Sequence, residues 1–457
     1  MTRPNLRPTA DYQAIDARHH FHPFSDMAAL NGVGSRVIAS AEGVFLKDTE
    51  GREILDGMAG LWNVAVGYGR AEIVEAAARQ MATLPYYNTF FQCTHPPAAE
   101  FAEALTAVAQ PHMNRVFFTG SGSEANDTVF RFARHYWDIK GKPEKKRFIA
   151  RRNGYHGSTV AGASLGGMAA MHGQSGLPIE GISHIEQPDW FGEGRKLGMS
   201  RDEFGRFAAR RLEAEIDRLG AGTIAAFIGE PIQGAGGVVI PPDSYWPEIE
   251  RICRERDILL VADEVICGFG RTGSWWGAET FGFTPDLASI AKAMTSGYIP
   301  AGGVFLSDEV ATTVEAGGEF FHGYTYSGHP VACAAGLANL KIMREERLVE
   351  RVRDDIGPYL QRRWTELGDH PLVGETRMKG LIGALEIVAD KETGARYPAA
   401  ADAGTRCRNL SVANGLVMRA VGDTMVIAPP LVITEAECDL LVERARRTLD
   451  DLAAALG

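Results

Sequence analysis

Lys292 sits in SIAKAMTSG (289–297), where its neighbours are small or apolar. Little there can solvate its charge, and desolvation turns an amine into a nucleophile toward carbonyls. Asp263 ends a run of five apolar residues in ILLVADEV (258–265). A carboxylate so placed is either paired or functional. Glu264 faces the opposite way along the strand and is the structural member of that pair. A third stretch, FFTGSGSEAN (117–126), leads from an apolar strand through a Gly/Ser loop into a helix. Backbone N–H groups and hydroxyls at a helix start bind phosphate. Ser121 with Glu124 would equally suit an ordinary capping box. The loop fits neither a Walker sequence nor GxGxxG.

Each stretch alone has a plain explanation; Lys292 by itself would pass for a lysine snorkelling from a strand end. Together they provide an amine, a buried anion and a phosphate cradle at one sheet edge. Pyridoxal phosphate requires that set: a lysine for its aldehyde, an anion for its pyridinium nitrogen and donors for its phosphate. NGYHG (153–157) adds Tyr155, a ring that can stack on the cofactor, and His156.

Elements that could hold these groups are visible. Short apolar strands at 115–120, 146–150, 223–230 and 258–265 alternate with amphipathic helices, the pattern of a mostly parallel α/β sheet covered on both faces. Such sheets carry their sites at the strands' carboxyl ends. Residues 35–56 read instead as a small antiparallel sheet. Beyond about residue 335 the rhythm becomes α+β, closing with a helix from Glu435. The expected division is a large cofactor-binding domain, 67–335, and a smaller domain built from 1–66 and 336–457.

Composition narrows the class. The chain has 457 residues and a net charge of −11, with no basic run among aromatics, so nucleic acid is not an expected partner. No segment approaches 18 uninterrupted apolar residues, and the opening stretch has no apolar leader region, so neither a membrane span nor secretion is expected. The six cysteines form no CxxC pair, and no His/Cys spacing suits zinc. They read as buried apolar residues of a cytoplasmic protein.

The motifs GSGSEAN, NGYHG, GEPIQGAGG (229–237), ADEVICGFGRTG, AKAMTSGYIPAGG and HGYTYSGHP (322–330) resemble those of class III pyridoxal-phosphate-dependent aminotransferases of fold type I. The resemblance runs from about residue 20 to the end. It implies that Lys292 is the Schiff-base lysine and that Asp263 pairs with the pyridinium nitrogen. Ser121, Gly122 and Ser123 would lie around the phosphate, Tyr155 on the ring and Val265 on its other face. Glu230 would support the cofactor's hydroxyl side, with His156 behind. Thr325 would reach the phosphate of a partner subunit, which implies a homodimer with shared sites, tetramers being the alternative.

Departures from the pattern bear on substrate. Relatives acting on ornithine or 4-aminobutyrate read GEAG where this chain has Ala235 in GAGG, and carry an arginine where TMVIAPP has Val426. Arg419, in NGLVMRAVGD (414–423), resembles the mobile arginine of amine:pyruvate (ω-) transaminases. That arginine pairs with a carboxylate and swings aside for amines lacking one. HHFHPFSD (19–26), GLWNVAVGYG (60–69) and YYNTFF (86–91) resemble the same subgroup. They suggest Phe21, Trp62 and Tyr155 as pocket walls, with Phe91 contributed by the partner. The implied reaction moves an amino group from an aryl or alkyl amine or a diamine to pyruvate. 4-Aminobutyrate, β-alanine, taurine or putrescine donors, an aminomutase, a decarboxylase and a non-catalytic binding protein are the competing readings.

Overall fold

The computed structural model describes residues 6–456. Strands β1 (Ile38–Glu42), β2 (Phe45–Asp48) and β3 (Glu53–Leu55) form the small antiparallel sheet expected near the N-terminus. The main sheet comprises β4 (Met113–Thr119), β5 (Arg147–Arg151), β6 (Ile182–Ile185), β7 (Ile224–Gly229), β8 (Leu259–Asp263), β9 (Leu287–Ile290) and β10 (Gly302–Ser307). Their order is β4-β10-β9-β8-β7-β5-β6, and β10 alone runs against the rest.

Every residue of β7 and β8 is buried, because both faces are covered. Leu259 and Val261 join the cluster that packs on the helix Gly122–Ile139. Leu260 and Ala262 join the opposite cluster, with Leu212 and Ile249 from the helices Arg201–Leu219 and Tyr245–Glu255. The period of two thus leaves no room for a polar side chain before the strand ends.

A second antiparallel sheet follows: β11 (Val373–Lys379), β12 (Ile382–Ile387), β13 (Arg419–Val421) and β14 (Thr424–Ile427), in the order β11-β12-β14-β13. The closing helix spans Glu435–Leu456. Leu55 links the chain's two ends: its N–H donates to Gly415 at 2.8 Å and its carbonyl accepts from Val417 at 2.9 Å. All six cysteines are free and all but Cys93 are buried. Among the described residues no helix is long and apolar enough to cross a membrane.

Candidate active site

Strands β4, β8 and β9 run the same way and end at one edge of the main sheet. Asp263 pairs in register with Ser289, and Lys292 lies just beyond the end of β9. The chain turns sharply there, with Lys292 at φ +48° in the 3₁₀ turn Lys292–Met294. Such backbone strain concentrates at functional positions. Beyond β4, Ser121 caps the helix Gly122–Ile139 and accepts a hydrogen bond from Glu124 N. The Glu124 carboxylate returns to Gly120 N (2.6 Å) rather than to Ser121, so the capping box is shifted by one residue. The capping role thus occupies the Ser121 hydroxyl, while Gly122 and Ser123 face the cavity.

That cavity has a volume of about 170 Å³ and is lined by Gly122, Ser123, Asn126, Tyr155, His156, Gly157, Glu230, Asp263, Val265, Ile266, Ala291 and Lys292. The Asp263 carboxylate is buried and fully engaged. It accepts from His156 Nδ1 (2.7 Å), Asn126 Nδ2 (2.8 Å) and Val265 N (3.1 Å). Burial pushes its pKa up, but the His156 hydrogen bond, the field of that ring and the two N–H donors outweigh burial and hold it below the ordinary carboxylate value. Glu230 takes Tyr155 N (3.0 Å) and Gly234 N (2.9 Å), yet burial keeps its pKa raised. Burial lowers the Lys292 pKa; the charges of Asp263 and Glu230 oppose this and that of Arg419 reinforces it.

Glu264 points away, as alternation requires. It receives Gly277 N and Ala278 N at 2.8 and 2.7 Å, while burial pushes its pKa up to about 8. Its role is to hold the start of the helix Gly277–Phe281.

Trp62 and Arg419, from outside the main sheet, stand beside Lys292 without lining this cavity. The Lys292 ammonium lies 5.8 Å from the centre of the Trp62 ring, and the Arg419 guanidinium stacks over the same ring at 4.9 Å. Burial lowers the Arg419 pKa. Arg419 has no ion-pair or hydrogen-bond partner among the described residues. It stands directly across from Val426 in the β13–β14 pairing.

Phe21 does not line this cavity, and Phe91 and Thr325, expected from a partner subunit, lie outside the cavity of their own chain. Phe21 is 84% exposed, and Phe24 is the residue whose ring meets Tyr155, with centroids 6.3 Å apart. Phe91 is 90% exposed. Thr325 is held against the segment that leads to Phe91, its carbonyl accepting from Tyr86 Oη at 2.7 Å. Asn126 was missed. It stands one helical turn after Gly122 and so shares its face, a signal that helical spacing contains. Asp56 was also missed. It is fully buried and holds the turn before Trp62 by accepting from Met58 N (3.0 Å), Gly60 N (2.6 Å) and Tyr68 Oη (2.7 Å).

The arrangement fits pyridoxal phosphate. A carboxylate held ionised, a lysine of lowered proton affinity and the start of an 18-residue helix converge on one cavity. Its phosphate end is narrow. A Cβ at Gly157, whose φ is +128°, would come within 2.7–2.9 Å of Ser123, so that position requires glycine, and one at Gly122 would press on Val265 at 3.1 Å.

The fold and this site define a pyridoxal-phosphate-dependent transaminase. The chain belongs to the class-III aminotransferase family, whose model matches residues 28–449. It is 58% identical over 448 residues to the putrescine–pyruvate aminotransferase of Pseudomonas aeruginosa, covering 98% of each chain. Among solved structures it is similar to an (S)-enantioselective omega-transaminase from Thermomicrobium roseum (TM-score 0.94, 42% identity, 98% and 99% of the two chains). It is also similar to the omega-transaminase of Pseudomonas jessenii in complex with PMP (TM-score 0.94, 41% identity, 97% and 99%).

Proposed function

We propose that this enzyme moves an amino group from a primary amine without an α-carboxylate, a diamine or an arylalkyl amine, to pyruvate. The observation that carries the reading is Arg419, an unpaired guanidinium parked on the Trp62 ring beside Lys292. A carboxylate entering there would gain a bidentate, charge-assisted contact worth about 1.5–3 kcal/mol. An amine lacking a carboxylate leaves Arg419 on its aromatic rest, so no buried cation is stranded. The relative named for putrescine and pyruvate supports the same pairing of substrates.

When bound, pyridoxal phosphate supplies an aldehyde that condenses with amines and a ring that takes up the electrons of a broken C–H bond. Asp263 would hold the ring nitrogen protonated, and His156 and Asn126 keep Asp263 ionised and oriented. Gly122, Ser123 and the helix start would take the phosphate, while Tyr155 and Val265 would pack on the ring. Lys292 Nζ, lowered in proton affinity by burial, would take the proton from the substrate carbon and return it at the opposite stage.

Phe91, Phe321 and Tyr326 are exposed, and the two segments that carry them meet where Tyr86 packs on Tyr326 and donates to the Thr325 carbonyl. We infer that a second copy covers this surface and that Phe91 and Thr325 complete the partner's site. The free cysteines suit action in the cytoplasm.

The decisive experiment incubates the purified enzyme with putrescine or (S)-1-phenylethylamine and pyruvate, and assays alanine with the aldehyde or ketone product. Turnover of ornithine or 4-aminobutyrate with 2-oxoglutarate, and none with these pairs, would overturn the assignment.

A further inference from the structure

Outside the active site, one group of ligand-type side chains stands unused by the chemistry. Asp16 and His20 are one helical turn apart where the helix Thr9–His19 ends, and His22 follows in the segment that leaves it. His20 Nδ1 lies 3.1 Å from one Asp16 oxygen and His22 Nε2 lies 2.7 Å from the other. The imidazole centroids are 4.1 Å apart, and one ligand atom from each residue falls within 4.8 Å of the others. Larger hollows are poorer candidates. One of about 270 Å³ contains Arg377, whose charge is already taken by Glu375 and Glu386. Another of about 370 Å³ adjoins the apolar face assigned to the partner copy.

We propose that Asp16, His20 and His22 form a binding site for one divalent transition-metal ion of the zinc class. The donor set is the first reason. Two imidazoles and a carboxylate suit zinc, cobalt or nickel, whereas magnesium and calcium require oxygen ligands. Spacing is the second. Bonds of about 2.0–2.2 Å to a common ion place adjacent donors about 3 Å apart, close to the 3.1 and 2.7 Å that separate Asp16 from His20 and His22, while all three ligand atoms lie within 4.8 Å of one another. Sequence economy is the third. All three ligands lie within seven residues, an i,i+4 pair on a helix and one more two residues on, so binding needs no rearrangement elsewhere.

The site adjoins the substrate entrance. Phe21 lies between the two histidines in sequence, and Phe24, two residues beyond His22, meets the Tyr155 ring. A bound ion would therefore cross-link the segment that carries Phe24 across the cavity, ordering it without touching Lys292 or Asp263. The proposal is independent of the substrate assignment, because it rests on a different cluster.

The test uses tag-free holoenzyme dialysed first against chelator and then against chelator-free buffer. Zinc titration by calorimetry should give one tight equivalent per chain, and cobalt should give a d–d absorption band of the same stoichiometry. Asp16→Asn and His22→Gln should each weaken zinc by at least about tenfold and remove the cobalt band, with transaminase turnover unchanged. His19→Gln, one residue outside the cluster, should leave both signals intact. Zinc should also slow proteolysis within residues 20–26 of the wild-type chain but not of Asp16→Asn. No tight equivalent in the wild-type protein, or one that survives both ligand variants, would overturn the proposal.

Discussion

Asp56 offers a test of how the pocket is shaped, because it is remote from the cofactor groups yet governs Trp62. Its two oxygens hold Met58 N, Gly60 N and Tyr68 Oη, and the turn they hold is strained: Ala59, Gly60 and Trp62 have φ of +46°, +66° and +58°. Positive φ at non-glycine residues costs of order 1–3 kcal/mol each and persists only where the surroundings enforce it. In Asp56→Asn the side chain keeps its shape but presents one oxygen and one amide. Tyr68 can rotate its hydroxyl to accept. Whichever way the amide turns, either Met58 N or Gly60 N then faces an N–H. The loss is one charge-assisted hydrogen bond to a buried donor, about 1.5–3 kcal/mol. Arg271, fully buried nearby, also loses the stabilising charge of Asp56. Relaxation of the turn should withdraw the Trp62 ring from Arg419, a cation–π contact worth about 0.5–2 kcal/mol. Because that contact is the rest Arg419 leaves to meet a carboxylate, its loss favours the carboxylate-bound state, a KM decrease for pyruvate of roughly twofold to thirtyfold. The assay separates the two half-reactions by stopped-flow absorbance of the cofactor. A simple alkyl amine should load the enzyme at close to the wild-type rate, whereas pyruvate should unload it at lower concentration. Equal losses in both half-reactions would mean that Asp56 merely maintains the fold. An unchanged pyruvate KM would refute the link from Asp56 through Trp62 to Arg419.

Arg419→Ala should lower kcat/KM for pyruvate by about 10- to 150-fold, the equivalent of 1.5–3 kcal/mol, and change the alkyl-amine half-reaction little; steady-state kinetics with each substrate varied will show whether the loss is one-sided. Lys292→Ala should cost at least about 10²–10⁴ in turnover, the usual contribution of a proton-transfer group, and prevent borohydride from fixing the cofactor to the chain, as read by peptide mass spectrometry. His184, on β6, is pushed down to about 4 by burial, although its bond to the Leu165 carbonyl opposes this. Its native ring stays neutral while the unfolded chain protonates it near the ordinary value of 6.5, so the unfolded state binds more protons and stability must fall as pH drops from about 6.5 to about 4. Denaturant midpoints across that window should decline in the wild-type protein and less steeply in His184→Gln.

The cofactor side of the site was legible because a parallel strand covered on both faces admits no polar residue until it ends. Asp263 after ILLVA, Lys292 after β9 and the Gly/Ser loop after β4 therefore announced their own positions. The contact of Phe24 with Tyr155 was not legible, because beyond the end of a helix no periodicity fixes which way a side chain points. Asp56 was not legible because the turn it holds departs from every regular φ,ψ region. Arg419 shows the deeper reason. Read position by position, Val426 stands where the resemblance implies an arginine, and Arg419 looks like an unrelated one seven residues earlier. In the folded sheet the two positions are directly paired, Arg419 with Val426 across the β13–β14 hairpin. Paired residues on adjacent antiparallel strands project from the same face, so a side chain can cross the hairpin and still serve the same side of the sheet. That equivalence depends on register, and the register is set by the turn at Gly422, whose φ is +55°. Moving the guanidinium by one strand, onto a tryptophan instead of a glutamate, exchanges a fixed ionic partner for a neutral resting surface. A neutral rest lets one pocket accept a carboxylate in one half of the reaction and none in the other.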